Sequence, residues 1–374
     1  MREEVSKADL LVIKTGSSLL LDGTQLDTDW LAALAADVEG LRQAGKKVVL
    51  VTSGAVSLGC AALDLARDKL SLAESQAAAA AGQIELMRGW QAAFGAHDIA
   101  TGQILLTAGD TEERRRYLNA RQTVQALLAI GAVPIINEND TVATQELRYG
   151  DNDRLAARVA AMISADCMLL LSDIDGLYNA NPAEDKNARF IDKVDKITAD
   201  IEAMAGGTGS AHGSGGMVTK LQAAQIAQSA GCHMVLASGR AHNPVAALAA
   251  GARSTLFMAH DTPLTARKNW IAHRLQPAGQ VHMDAGALAA LHKGSSLLPV
   301  GVTRIDGAFE RGDCVTLCGP DGEAVGRGLA TLASSDARLM MGKSSAARSQ
   351  ILEAPGRDEM VHRDDMVLNE QGAG

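Results

Sequence analysis

Short aliphatic runs recur along the first two thirds of the chain, separated by longer alanine-rich stretches of helical periodicity, and this alternation constrains the fold more than any other feature. The runs Leu10–Ile13, Val48–Val51, Gly102–Leu106, Val133–Ile136, Met168–Leu171 and His233–Ala237 have strand length and are mostly apolar on both faces. Strands of that kind belong inside a parallel sheet covered on both sides. The stretches Thr28–Ala44, Leu72–Phe94, Glu112–Ile130, Asn152–Ile163 and Met217–Ala230 supply the covering helices. The expected class is α/β, a three-layer αβα sandwich around a mainly parallel, open sheet. Aromatic residues make up only 3% of the chain, so its core has to be packed from Ala, Leu, Ile and Val.

The pattern changes near Pro263–Pro277. Beyond Gln280, segments such as GSSLLPVGV, GAFERGDCVTLCGPDG and EAVGRGLA read as hairpins and tight turns of a small, mostly β, barrel-like domain. We therefore expect a large domain over residues 1–265, a linker over 266–279, a small domain over 280–360 and a C-terminal tail over 361–374. A chain of 374 residues has room for two cores.

Charge and cysteine content narrow the function classes. The net charge of −9 speaks against general affinity for nucleic acid or an anionic membrane surface. Acidic side chains also outnumber basic ones from Gln280 onward, where an RNA-binding module would need a basic surface. No run of about eighteen apolar residues is present to span a membrane, and the opening MREEVSKADLLVIKTG does not read as a secretory signal. Cys60, Cys167, Cys232, Cys314 and Cys318 are an odd, scattered set that suits a reducing cytoplasm better than a disulfide framework. Cys314 and Cys318 lack a nearby Cys or His pair to complete a zinc site.

In open parallel sheets ligands sit beyond the carboxyl ends of the strands. Four such ends carry small donors or carboxylates: Lys14-Thr15-Gly16-Ser17-Ser18, Thr52-Ser53-Gly54-Ala55, Asn137-Glu138-Asn139-Asp140 and Ser172-Asp173-Ile174-Asp175. Polar strand ends are ordinary taken singly; four on one edge indicate a shared site. Lys14 sits rigidly at the first end, and Gly16 beside it lets backbone N–H groups approach phosphate oxygens. A second cation follows the glycine-rich tract Gly206–Gly216, where Lys220 stands in the first turn of a predicted helix. Helix starts favour anions, so a lysine there calls for an anionic partner. Neither a Walker A loop nor a dinucleotide fingerprint is present. Two lysines and a magnesium ion meet the demands of in-line phosphoryl transfer, which asks the protein for positioning and charge neutralisation. Asp140 and Asn152 suit the ammonium and carboxylate of a small amino acid. Asp153 suits the orientation of the two lysines, although a capping role at the helix start is equally open to it.

The segments KTGSSLL, VTSGAVSLG, LNARQT, PIINENDTVAT, YGDNDRLAA, LLLSDIDGLYNANP and SGGMVTKLQAA together resemble the glutamate 5-kinase family of the amino-acid kinase superfamily. The resemblance spans almost the whole chain, and the tail from HKGSSLLPVGV to MVHRDDM is similar to a PUA domain. It implies ATP- and Mg2+-dependent phosphorylation of L-glutamate to γ-glutamyl phosphate, the first step of proline synthesis, in a cytoplasmic homo-oligomer. It further implies feedback inhibition by proline and γ-glutamyl phosphate reductase as the downstream enzyme. Carried over by residue, Lys14, Lys220 and Asp153 are the catalytic group, and Ser53, Asp140 and Asn152 bind glutamate. Lys14, Ser172, Asp173, Ser214, Gly215, Gly216, Met217, Val218, Thr219 and Lys220 face the nucleotide. Ser172 replaces the commoner threonine, and Gly206–His212 is richer in glycine than the family pattern. On that basis Lys14 is expected to be placed by its strand, and Lys220 by nucleotide ordering the glycine-rich tract. The alternatives are another amino-acid or carbamate kinase of the same superfamily and, from a different class, an RNA-binding protein acting through the PUA domain.

Overall fold

A computed structural model describes residues 2–143, 152–205, 216–344, 347, 351–352 and 358–369. The chain divides into two units, Met1–Pro263 and Leu264–Gly374.

The first unit is built on an eight-stranded sheet. Its strands are β1 Leu10–Thr15, β2 Lys47–Val51, β3 Thr101–Leu106, β4 Val133–Glu138, β5 Cys167–Ser172, β6 Lys193–Val194, β7 His233–Ser238 and β8 Ser254–Phe257. They lie in the order β6-β8-β7-β5-β1-β2-β4-β3. Every neighbouring pair is parallel except β7 and β8. Side-chain alternation sends Leu11, Ile13, Val48, Leu50, Leu169 and Leu171 into one core and Val12, Val49, Val51, Met168 and Leu170 into the other. Both faces of the central strands are thus buried, which is why they appear as continuous aliphatic runs. β1 and β5 are neighbours, and the connections that follow them run to opposite sides of the sheet, β1 to β2 and β5 toward β6 and β7, which opens a crevice at their C-terminal ends.

The helices that matter for the site are α1 Thr28–Gln43, α2 Ala55–Ala62, α3 Leu72–Gly95, α4 Arg114–Ala129, α5 Asp153–Ile163 and α6 Met217–Ser229. A capping box between Ser71 and Glu74 starts α3. Helices α2 and α3 meet backbone to backbone, because a Cβ on Gly59 would lie 1.7 Å from the Ala78 carbonyl oxygen and one on Gly82 would lie 1.9 Å from that of Ala55. Helix α2 begins where the sequence VTSGA reads as a loop, because Gly54 at φ 102° turns the chain directly into it. The expected helix over 112–130 is also interrupted, with Ala108–Glu112 ending before α4 begins.

Strand ends differ from the sequence reading in one consistent way. Lys14, Asn137, Glu138 and Ser172 lie inside their strands rather than after them. Apolarity stops at Ile13, Ile136 and Leu171, but ladder pairing continues, with Lys14 in register with Val51 on one side and Leu170 on the other.

The second unit contains α7 Pro263–Arg274 and strands β9 Gly279–Met283, β10 Val302–Gly307, β11 Cys314–Cys318, β12 Ala324–Ala330 and β13 Val361–Leu368. Their order is β10-β9-β11-β12-β13, with only β9 and β11 parallel. Val281, Met283, Val315, Leu317 and Val361 form its core. Two stretches expected outside this domain carry structure: α7 occupies most of residues 266–279, expected as linker, and β13 lies in residues 361–374, expected as tail. Arg267 on α7 and Asp365 on β13 form a buried ion pair at 2.8 Å that ties these two segments together. All five cysteines are free and buried.

Candidate active site

A cleft of about 250 Å3 opens at the C-terminal ends of β1, β2, β4 and β5. It is lined by Lys14 and Lys220, by Ser53, Asp140 and Asn152, and by Ser172 and Asp173. The four strand ends therefore converge, as their common position on one edge of a parallel sheet requires.

The deepest charged group is Asp153, the first residue of α5, whose side chain is 0% exposed. One carboxylate oxygen lies 2.5 Å from Lys14 Nζ and the other 3.0 Å from Lys220 Nζ. The N-cap of α5, Asn152, makes no side-chain capping bond; the Asp153 carboxylate, buried this deeply, is neutralised by two ammonium groups, themselves nearly buried. Burial alone would raise its pKa, but Lys14 and Lys220 outweigh that and hold the carboxyl below the usual range. Lys220 extends from α6, which packs on α5. That packing and the pairing with Asp153 set the place of Lys220; residues 206–215 of the tract expected to order on nucleotide lie outside the described residues.

On one side of this centre the cleft presents amides and a hydroxyl. Asn152 Nδ2 donates to the Thr52 carbonyl at 2.5 Å and to Asn137 Oδ1 at 2.7 Å. Ser53 follows Thr52 at the end of β2, and Asp140 follows β4. Arg67 adds a guanidinium to the lining. On the other side, Ser172 Oγ donates to Asp173 at 3.0 Å, and Arg240 Nε donates to the Asp173 carbonyl at 3.0 Å. A Cβ on Gly16 would meet only Ser18 Oγ, Lys14 Nζ and the Leu171 carbonyl at 3.8–4.0 Å. Glycine is thus not forced by protein crowding or by its φ of −79°; it keeps open the space beside the Lys14 ammonium, where a ligand's oxygens would lie.

Of the remaining candidates, Gly216 caps α6, while Met217, Val218 and Thr219 form its first turn. Thr219 Oγ1 donates back to the Gly216 carbonyl at 2.7 Å. None of these four lines the cleft. Ser214, Gly215 and the segment Gly206–His212 lie outside the described residues. Asn137, Glu138 and Thr52, named in the sequence only as members of polar strand ends without a role, belong to the site, and so does Arg67, which the sequence did not single out. The signal for Asn137 was present as a polar residue following directly on the buried run of β4. Arg67, in a short 3-10 turn, had none. Among the described residues, no three His, Cys, Asp or Glu side chains converge as metal ligands.

Residues 9–238 match the Amino acid kinase family and residues 279–352 the PUA domain. The chain is 55% identical over 371 residues to a protein named glutamate 5-kinase from Rhizobium johnstonii, covering 99% of this chain and 95% of the relative. A Bradyrhizobium glutamate 5-kinase is 56% identical over 365 residues, covering 97% of each chain. Glutamate 5-kinase 1 of Rhizobium meliloti is 56% identical over 359 residues, covering 96% of this chain and 91% of the relative.

Proposed function

Because the chain belongs to the amino acid kinase family and, within it, to the glutamate 5-kinases, we propose that it transfers the γ-phosphoryl group of ATP to the side-chain carboxylate of L-glutamate. The observation that carries this reading is the Lys14–Asp153–Lys220 centre, two ammonium groups held by one buried carboxylate at the floor of a cleft.

The chemistry needs little else from the protein. A glutamate side chain is ionised at neutral pH, with an unperturbed pKa of about 4.3, so its oxygen attacks phosphorus without a general base. The bond formed joins that oxygen to the γ-phosphorus; the bond broken releases ADP with the electron pair on its terminal oxygen. Charge on the equatorial oxygens and on the leaving group has to be neutralised, and Lys14 and Lys220 supply that. Asp153, tied to both lysines, sets their spacing and is not available as a base. The space beside Gly16, together with Ser172 and Asp173, suits the nucleotide. Mg2+, when bound, neutralises further phosphate charge. Phosphate oxygens and water commonly supply most of the coordination of such a magnesium ion.

On the acceptor side, Asp140 and Asn152 Oδ1 suit the ammonium group, and Arg67 with Ser53 suits the α-carboxylate. The PUA match over residues 279–352 falls within the second unit, and the reading extends that domain to α7 and β13. The same reading carries proline as feedback inhibitor, γ-glutamyl phosphate reductase as consumer of the product, a homo-oligomeric state and a cytoplasmic location; these rest on family membership. ADP release measured with glutamate, aspartate, N-acetylglutamate and carbamate tests the assignment. Glutamate should be strongly preferred, and preference for any of the other three would reject it.

A further inference from the structure

We propose that Gln83, on α3 and outside the cleft lining, is a positioning residue that, through Asn137, holds the Asn152 amide with its oxygen toward the substrate. The inference rests on the glutamate kinase reading and concerns how that site recognises the α-ammonium group.

The orientation of three amides follows from two backbone groups. The Thr52 carbonyl can only accept, so the Asn152 atom 2.5 Å from it must be Nδ2. The Glu138 N–H can only donate, so the Asn137 atom 2.9 Å from it must be Oδ1. The second hydrogen of Asn152 Nδ2 then goes to Asn137 Oδ1 at 2.7 Å. Asn137 is left with Nδ2, which donates to Gln83 Oε1 at 2.7 Å. Both hydrogens of Asn152 Nδ2 are used within the protein, so Oδ1 alone remains for a ligand. An oxygen acceptor matches the only donor that glutamate carries at neutral pH, its ammonium group.

Gln83 ends this chain. It is held by the close approach of α2 and α3 at the adjacent Gly82, and its own Nε2 is buried without a hydrogen-bond partner among the described residues. Only its carbonyl oxygen is therefore used, which makes the requirement at position 83 an acceptor rather than an amide. Without that acceptor, Asn137 Nδ2 is left unpaired in a buried setting. The penalty is relieved when Asn137 turns away from Asn152, which removes one of the two hydrogen bonds that hold the Asn152 amide and loosens the placing of its Oδ1 toward the ammonium.

The test compares Gln83→Leu and Gln83→Met, which remove the acceptor, with Gln83→Glu, which keeps one. Steady-state kinetics are measured with glutamate and with glutarate, the same dicarboxylate without the ammonium group. The acceptor-deleting variants should raise KM for glutamate roughly tenfold while KM for ATP stays within about twofold. Their preference for glutamate over glutarate should fall by a similar factor, and Gln83→Glu should restore it. If Leu at this position destabilises the fold, the unbranched Met variant carries the comparison. An unchanged glutamate-to-glutarate preference in both deletion variants, or a Gln83→Glu variant no better than they are, would overturn the assignment. Failure of the unmodified protein to phosphorylate glutamate at all would instead remove the functional reading, and this inference with it.

Discussion

Substituting Asp153 by asparagine keeps the shape of the charged centre and deletes its negative charge. With carboxylate oxygens 2.5 and 3.0 Å from Lys14 and Lys220, each contact has a gross Coulomb energy of about 6 kcal/mol at an effective dielectric constant of about 20. Desolvation of three charged groups offsets most of that, and removing one member of such a buried set lowers stability by about 3–5 kcal/mol. For a domain of this size, a loss of that order lowers Tm by roughly 6–20 °C. ATP brings negative charge to the same two lysines, so it should raise Tm more in Asp153→Asn than in the unmodified protein. Thermal unfolding followed by circular dichroism, with and without ATP, reads both effects. A Tm within about 2 °C of the unmodified protein would refute the claim that this carboxylate holds the two lysines.

Three further outcomes are expected. Asp140→Ala should raise KM for glutamate by more than about tenfold, as loss of a charged hydrogen-bond partner does, with kcat affected less; an unchanged KM would remove Asp140 from the substrate site. Gly59→Ala drives a methyl group into the Ala78 carbonyl and should lower stability by about 3 kcal/mol or more, measured by urea denaturation. The depressed pKa of Asp153 contributes stability that is present above its unfolded value of about 3.9 and lost as pH falls through the lower folded value. Stability from this group should therefore be flat between about pH 5 and 8, with an acid-unfolding contribution below about pH 4 that Asp153→Asn lacks.

The sheet was legible because its central strands are buried on both faces, leaving short uninterrupted aliphatic runs that no exposed segment would carry. Their ends were less legible, because Lys14 and Asn137 continue the ladder after apolarity has ceased. Lys14, Asp153 and Lys220 stood out by chemical type at strand and helix ends, and Asp153 could be connected with the lysines as their orienting group. Its complete burial and the packing of α6 on α5 are tertiary facts that no local pattern encodes. Helix α2 was hidden by the glycines in VTSGAVSLG, which serve a turn at Gly54 and a helix crossing at Gly59 instead of a loop. Gln83 was invisible for a related reason: a glutamine on an alanine-rich helix gains meaning only when the fold brings it to Asn137, 54 positions away.

The central claim is that paired lysine charges stabilise the phosphoryl group in transit, and kcat and KM of Lys220→Ala test it most directly. Charge that builds up mainly in the transition state is worth turnover rather than binding. The account predicts that kcat for glutamate-dependent ADP release falls about 100- to 1000-fold while KM for glutamate stays within about threefold. A variant that keeps its kcat and shows only weaker binding of ATP would contradict it, and would make Lys220 a nucleotide-binding residue alone.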